Sequence, residues 1–199
     1  MNKIITVSRE FGSGGRTIAK MAAEKLQIPV YDSELLAQIA QKSGLDRGYI
    51  DQKAEHLTLS NILSSSLSKI GNYSQPTAED YLWNMQKQVI LELAQKESCI
   101  IVGRCADYIL RDKARCLRVF IHASMEKRAE RIVKVYGDES KEPPEKRLKD
   151  KDKRRRAFYS YRIKQAYGAA WRQPLFMCTS LNHSFQSFPS LSAFIVLLG

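Results

Sequence analysis

A chain of 199 residues with 44% hydrophobic and 27% charged side chains has the make-up of one globular domain with a buried core. This excludes collagen-like, low-complexity and wholly disordered chains. The net charge of +11 lies entirely in residues 104–172, which carry 21 Lys+Arg against 10 Asp+Glu, whereas residues 1–103 balance and residues 173–199 carry none of the four. Such a concentration suits an anionic partner, either phosphates on a small molecule or a nucleic acid; a solvated basic face is the plain alternative. Four cysteines (Cys99, Cys105, Cys116, Cys178) without a C-x-x-C pair argue against a zinc site and a disulfide framework. No run of 18 apolar residues offers a membrane span, and the opening Met1–Val7 turns polar too soon for a secretory signal. A cytoplasmic setting is therefore expected.

Ile4–Val7 is a β-branched run that predicts a buried strand. A Gly-rich turn, Gly12-Ser13-Gly14-Gly15, follows, and then Ile18, Met21, Ala22 and Leu26 recur at helical spacing. Ile28–Tyr31 predicts a second short strand ending at Asp32, and residues 33–43 a helix that stops before Gly44. Asp46–Pro76 is Ser- and Asn-rich and weakly patterned, as expected of a small inserted subdomain. Thr77–Asp80 has the form of a capping box, with Leu82, Met85, Val89 and Leu93 continuing one apolar face. Ser98–Val102 and Leu117–Ile121 predict two further strands, and Ser124 the cap of a helix running to Gly137. Residues 138–156 are densely charged and broken by Pro143-Pro144. Another helix is expected into the Tyr159–Tyr161 region, and Leu175–Cys178 is a candidate last strand. Strands alternating with helices predict an open parallel α/β sheet.

The Gly-rich turn falls between the first strand and the first helix, where ligands bind in such sheets. Gly12, Gly14 and Gly15 permit a tight bend and close backbone approach, and a helix N-terminus favours an anion. The window Glu10–Thr17 can be laid on the phosphate-binding pattern G-x-x-x-x-G-K-[ST]. Gly15 and Thr17 match. Glu10 replaces the first Gly and Arg16 replaces Lys, which keeps the charge but not the compact ammonium. Glu10 is expected to pair with Arg9 or Arg16, or to help hold a metal shell. A tight strand-to-helix turn without ligand is the structural alternative.

Several segments together resemble one family. Ile5–Arg16, Ile100–Leu110 (with Gly103-Arg104-Cys105-Ala106-Asp107), Val119–Ala123 followed by Glu126-Lys127-Arg128, and the basic Asp152-Lys153-Arg154-Arg155 with Tyr159 and Tyr161 are similar to the cytidylate kinase-like family. The likeness covers about residues 3–170. Arg in place of the phosphate-loop Lys looks typical of that family. The resemblance implies a P-loop kinase fold: three layers, α/β/α, around a central parallel sheet. A single domain over 1–199 would carry an acceptor-binding insert at about 33–76 and a mobile basic lid at about 138–156. It implies ATP as donor with Mg²⁺, and a cytidylate-like acceptor. True cytidylate kinases show Gly-Arg-Asp after the corresponding strand; here Cys105 stands in the Asp position, which weakens the case for CMP and leaves Arg104 intact.

On that resemblance Gly12, Ser13, Gly14, Gly15, Arg16 and Thr17 would hold the ATP phosphates, with Arg16 on the β/γ oxygens and Thr17 on the metal. Asp32 would hold a metal-bound water or an acceptor hydroxyl, or else cap the helix at 33–43. Arg104 would grip the acceptor phosphate with Asp107 nearby, or else the two form an ion pair. Lid residues Lys151, Arg154 and Arg155 would bring cations to the transferring group. Arg128 and Arg131 would reach the phosphates, or lie on a solvated helix face. Neither of the two best strands ends in a metal-binding Asp, since Gly103 and His122 follow them. Cys105 is a reactive or a buried inert thiol.

From Trp171 the family pattern stops, leaving a native divergent end or a shifted reading frame as alternatives. The leading reading is an ATP-dependent kinase of a nucleoside monophosphate, CMP or dCMP first. The others are a kinase of another small phosphate acceptor, a nucleotide-binding regulator without turnover, and a basic nucleic-acid-binding module. Small nucleotides are the expected partners; no membrane contact is expected, nucleic acid is disfavoured, and homo-oligomer formation is left open.

Overall fold

The structure is a computed structural model that describes residues 2–44, 78–112, 115–137, 142–166 and 175–178. Five strands form one parallel sheet: β1 (Ile4–Arg9), β2 (Val30–Tyr31), β3 (Cys99–Val102), β4 (Cys116–His122) and β5 (Leu175–Cys178), in the order β2-β3-β1-β4-β5. All pairs are parallel, with Ile5 beside both Ile100 and Leu117. The helices are α1 (Gly15–Leu26), α2 (Ser33–Ser43), α3 (Ala78–Lys96), α4 (Ala106–Ile109), α5 (Met125–Tyr136) and α6 (Pro144–Ala166).

The central strands are continuous β-branched runs because a parallel sheet is covered on both faces. Successive side chains feed opposite layers. Ile4, Cys99 and Ile101 pack under α2, α3 and α4 with Leu35, Ile39, Ile90 and Leu110. Ile5, Val7, Ile100, Val102, Val119 and Ile121 pack on the other side against Ile18, Ala19 and Ala23 of α1. A third, small cluster of Ala129, Ile132 and Leu148, with Phe11 against it, joins α5 to α6 directly beside the loop after β1.

Helix ends follow local chemistry. Gly44, at φ +68°, closes α2 by donating its amide to the Ala40 carbonyl. Ser124 Oγ accepts from the Lys127 amide at the start of α5, and Gly137 ends that helix. Of the region expected to be an insert, α2 belongs to the core through Leu35 and Ile39. Residues 45–77, with Thr77 of the capping box, lie outside the described residues.

The charged stretch expected as a lid differs from the simplest reading of its prolines. Residues 144–156 are the first half of a 23-residue helix that runs on through Tyr159 and Tyr161. Pro144 does not break it because it is the first helical residue, where an amide has no intrahelical partner anyway. The helix buries Leu148, Phe158 and Arg162 despite its charge. Beyond Trp171 the chain contributes β5, whose Phe176 registers with Phe120.

Candidate active site

β1 lies at the centre of the sheet, so its carboxyl end opens between β3 and β4 on the rim where ligands bind in parallel α/β sheets. The loop 10–14 leaves this point and enters α1. Glu10 remains tied to β4 through its amide to the Ile121 carbonyl (3.0 Å). Buried Ser13 turns the chain, donating its hydroxyl to the Glu10 carbonyl at 2.9 Å. Gly14, at φ +83°, is the residue before α1; no side chain caps the helix and no acidic residue stands in its first turn. A helix entered in this way leaves its first amides for an anion. The geometry therefore fits a phosphate chain.

The glycines have distinct reasons. A Cβ on Gly15 would lie 2.7 Å from Cβ of Arg9, and one on Gly103 would run into the Arg9 guanidinium. The Arg9 side chain thus passes between the start of α1 and the end of β3, buried, and reaches Asp32 at 3.9 Å. Gly12, at φ +79°, lies against α5 and α6: a Cβ there would meet Ile132 Cγ2 at 2.9 Å, the Arg128 carbonyl at 3.0 Å and Leu148 Cδ2 at 3.1 Å.

Asp32 follows β2 and precedes α2, but its side chain makes no capping hydrogen bond. It faces Arg9 and pairs with Arg16, whose Nε lies 2.5 Å from Oδ2. Arg16 is otherwise solvent-exposed. Thr17 Oγ1 accepts from Nη2 of Arg131 at 2.8 Å, so Arg131 reaches the loop across from α5. Glu10 pairs with neither Arg9 nor Arg16 among the described contacts; it faces Arg128 Nε at 3.5 Å and accepts from the Ala123 amide. Arg128 is 4% exposed, which excludes the solvated helix face weighed for it. It also donates Nη1 to the Phe11 carbonyl (3.2 Å) and to Asp152 Oδ2 (2.5 Å).

The cations expected of a lid divide. Lys151 and Arg155 approach the Phe11 ring at 5.9 and 5.6 Å from its centroid, with Tyr136 stacked on the same ring at 5.9 Å. They flank the loop. Arg154 is exposed.

After β3, Gly103, Arg104 and Cys105 take left-handed backbone in succession, at φ +73°, +57° and +53°. Two of them are not glycine, so the turn stores strain of about 1–2 kcal/mol each. It is held by the Gly103 amide on the Val7 carbonyl (2.9 Å) and by Gln86, which donates to the Arg104 carbonyl (2.9 Å). Arg104 is half-buried at this turn. Asp107, in α4 just after the turn, is 4% exposed and accepts the Tyr159 hydroxyl at 2.6 Å. Burial pushes the Asp107 carboxyl above the usual range, a shift that the Tyr159 hydrogen bond opposes, and burial likewise pushes the Tyr159 hydroxyl and the Cys105 thiol up. Cys105 is therefore buried, with its thiolate form disfavoured. Further along α6, Arg162 is buried between Trp83, Phe158 and Tyr161 and pairs with Asp80 at 3.1 Å.

Sequence reasoning brings Gly12–Thr17 and Asp32 to one place, with Arg104 on the neighbouring strand end. It misses Arg9 as the side chain around which Gly15 and Gly103 are built. It also misses Asp152, quoted only as part of a basic motif, and the signal available for it was an acid inside a run of cations.

A parallel sheet ordered β2-β3-β1-β4-β5, with a glycine loop between its central strand and an uncapped helix, defines the P-loop kinase class of α/β proteins. Solved structures agree in fold: the chain is similar to an uncharacterized protein from Eubacterium ventriosum (TM-score 0.61, 21% identity, 99% of this chain and 97% of that one). It is also similar to shikimate kinase from Bacteroides thetaiotaomicron (TM-score 0.56, 15% identity, 98% and 97%). In sequence it is 30% identical over 162 residues to a cytidylate kinase from Archaeoglobus fulgidus, covering 80% of this chain and 77% of that protein. Residues 4–181 match the cytidylate kinase-like family, and the chain belongs to it. Among the described residues no helix is long and apolar enough to cross a membrane.

Proposed function

We propose that this protein transfers the γ-phosphoryl group of ATP to a nucleoside monophosphate, with CMP or dCMP the first acceptors to test. The observation that carries the reading is the uncapped N-terminus of α1 at the carboxyl end of the central strand, with Arg16, Arg131 and Arg155 around it. Phosphoryl transfer asks little covalent chemistry of a protein; it asks for two substrates in line and positive charge around the moving group. The amides of Gly14–Thr17 hold the donor phosphates. Arg16 leaves its contact with Asp32 and turns to the β/γ oxygens, a short movement for an exposed side chain anchored at one point.

Mg²⁺, when bound, neutralises phosphate charge. Thr17 Oγ1 is the loop oxygen suited to it, and Asp32 the carboxylate suited to a water of its shell; the remaining ligands are phosphate oxygens and waters. Arg104 grips the acceptor phosphate from the strained turn after β3. Asp107, being buried, holds the Tyr159 hydroxyl of α6 rather than facing the acceptor site. Lys151, Arg154 and Arg155 supply cations from α6, with Lys151 and Arg155 already beside the loop.

An ADP-release assay over a panel of nucleoside monophosphates tests the reading. Turnover with CMP or dCMP is expected, together with its loss in Arg16→Ala. Turnover confined to another phosphate acceptor would assign a different kinase on the same fold. Saturable ATP binding without turnover on any acceptor would make the protein a nucleotide-binding regulator.

A further inference from the structure

We propose that Asp152 is a positioning residue: from the lid helix α6 it holds the peptide of Phe11, and so fixes the shape of the phosphate loop. The inference rests on the ATP-binding reading above and goes beyond it by naming what holds the loop. Asp152 Oδ1 accepts from the Phe11 amide at 2.7 Å across 141 residues of sequence. Its Oδ2 pairs with Nη1 of Arg128 at 2.5 Å, and the same nitrogen donates to the Phe11 carbonyl at 3.2 Å. Both polar groups of Phe11 are thereby engaged by helices from the other side of the loop. Arg128 is buried and Asp152 only slightly exposed (side chain 12%), so these charge-assisted bonds form in a region shielded from solvent.

The next residue, Gly12, lies against Ile132 of α5 and Leu148 of α6, so packing and hydrogen bonding fix the same point. No contact inside the loop does this work: Ser13 holds Glu10, which is upstream of Phe11. The consequence is a coupling. α6 cannot swing away from the sheet without releasing the Phe11 amide, so the loop has its phosphate-binding shape only while the lid helix is docked. An acid in a helix otherwise crowded with Lys and Arg is the residue that makes this contact.

The test uses the full-length chain, with Asp152→Ala, which removes both bonds, and Asp152→Asn, which keeps an oxygen for the Phe11 amide. Two readouts are taken: the Kd of a fluorescent non-hydrolysable ATP analogue, and hydrogen exchange at the Phe11 amide without nucleotide. Wild type should protect that amide, and Asp152→Ala should speed its exchange and weaken the analogue, each by about tenfold. The acceptor KM should stay within about twofold, and Asp152→Asn should recover most of the loss, the pattern expected of one restored neutral hydrogen bond. Unprotected exchange at Phe11 in wild type overturns the proposal, as does equal weakening of donor and acceptor in Asp152→Ala. If Asp152→Ala does not fold, wild-type exchange and Asp152→Asn still decide. Failure of wild type to bind the analogue sinks the kinase reading instead, while the exchange measurement continues to judge the tie.

Discussion

Replacing Gly12 by Ala tests whether α5 and α6 close on the loop as tightly as the structure shows. Two separate costs are expected. The backbone at Gly12 is left-handed, at φ +79°, which costs a residue with a Cβ about 1–2 kcal/mol. The added methyl would also lie 2.9 Å from Ile132 Cγ2, 3.0 Å from the Arg128 carbonyl and 3.1 Å from Leu148 Cδ2. One of these neighbours is backbone and another belongs to a helix pinned by Arg128, so relief requires α5 and α6 to part; overpacking of this kind costs about 1–3 kcal/mol. The sum is about 2–5 kcal/mol. Gly44 is the internal control: its φ of +68° is similar, yet among the described residues nothing lies within 4 Å of its Cβ position, so Gly44→Ala should lose only the backbone share, about 1–2 kcal/mol. Urea unfolding of the wild type and both variants, with m-values compared, measures the difference directly. If Gly12→Ala is no more destabilising than Gly44→Ala, the loop is not clamped and the account of its rigidity is wrong.

Other outcomes follow from the same contacts. Arg16→Ala should reduce kcat at least about 100-fold, as loss of a charge aimed at the transferring group does, while urea unfolding shifts by less than about 0.5 kcal/mol because the side chain is largely exposed. Tyr159→Phe should destabilise by about 1–3 kcal/mol, since it removes the partner of a buried carboxylate, and a urea midpoint matching wild type would contradict the observed hydrogen bond. Asp107 has its folded pKa raised by burial above the ordinary 3.8, so its protonated form is the one favoured by folding. Its contribution is therefore full below 3.8 and lost as pH rises through the folded value. Wild-type stability should fall relative to Asp107→Asn as pH increases from 4, and parallel stability curves would refute this. Cys99 and Cys105 are buried, with the Cys99 thiol pushed up to about 12, so both should resist alkylation at pH 8 until the protein is unfolded; rapid labelling of either in the native state would oppose that burial.

The fold was legible because β1 and β3 carry β-branched runs and α2 and α5 carry clear stops at Gly44 and Gly137. Leu175–Cys178 was legible too, despite the altered composition around it, because a short apolar run next to a parallel sheet has few other places to go. Less legible was α6. Its first half reads as a charged loop, since eight basic residues and a proline hide the spacing of Leu148, Phe158 and Arg162. The phosphate loop was recognisable from its glycines, but not the reason for each. That reason is Arg9, which lies in the strand just before them and whose path past Gly15 and Gly103 exists only in three dimensions. The same holds for Asp152 and Arg128. A residue that meets its partner across 141 positions leaves no periodic trace, and an acid among cations is as readily explained by pairing along its own helix.

On the proposed function, the amides that open α1 bind the phosphates of ATP. Amide chemical shifts of Gly12–Thr17, followed by NMR during titration with a non-hydrolysable ATP analogue and Mg²⁺, test it most directly. Large saturable shifts at Gly14–Thr17, weakened in Arg16→Ala, are the expected result. Shifts confined to other regions of the chain, with these six amides unmoved at saturation, would contradict it.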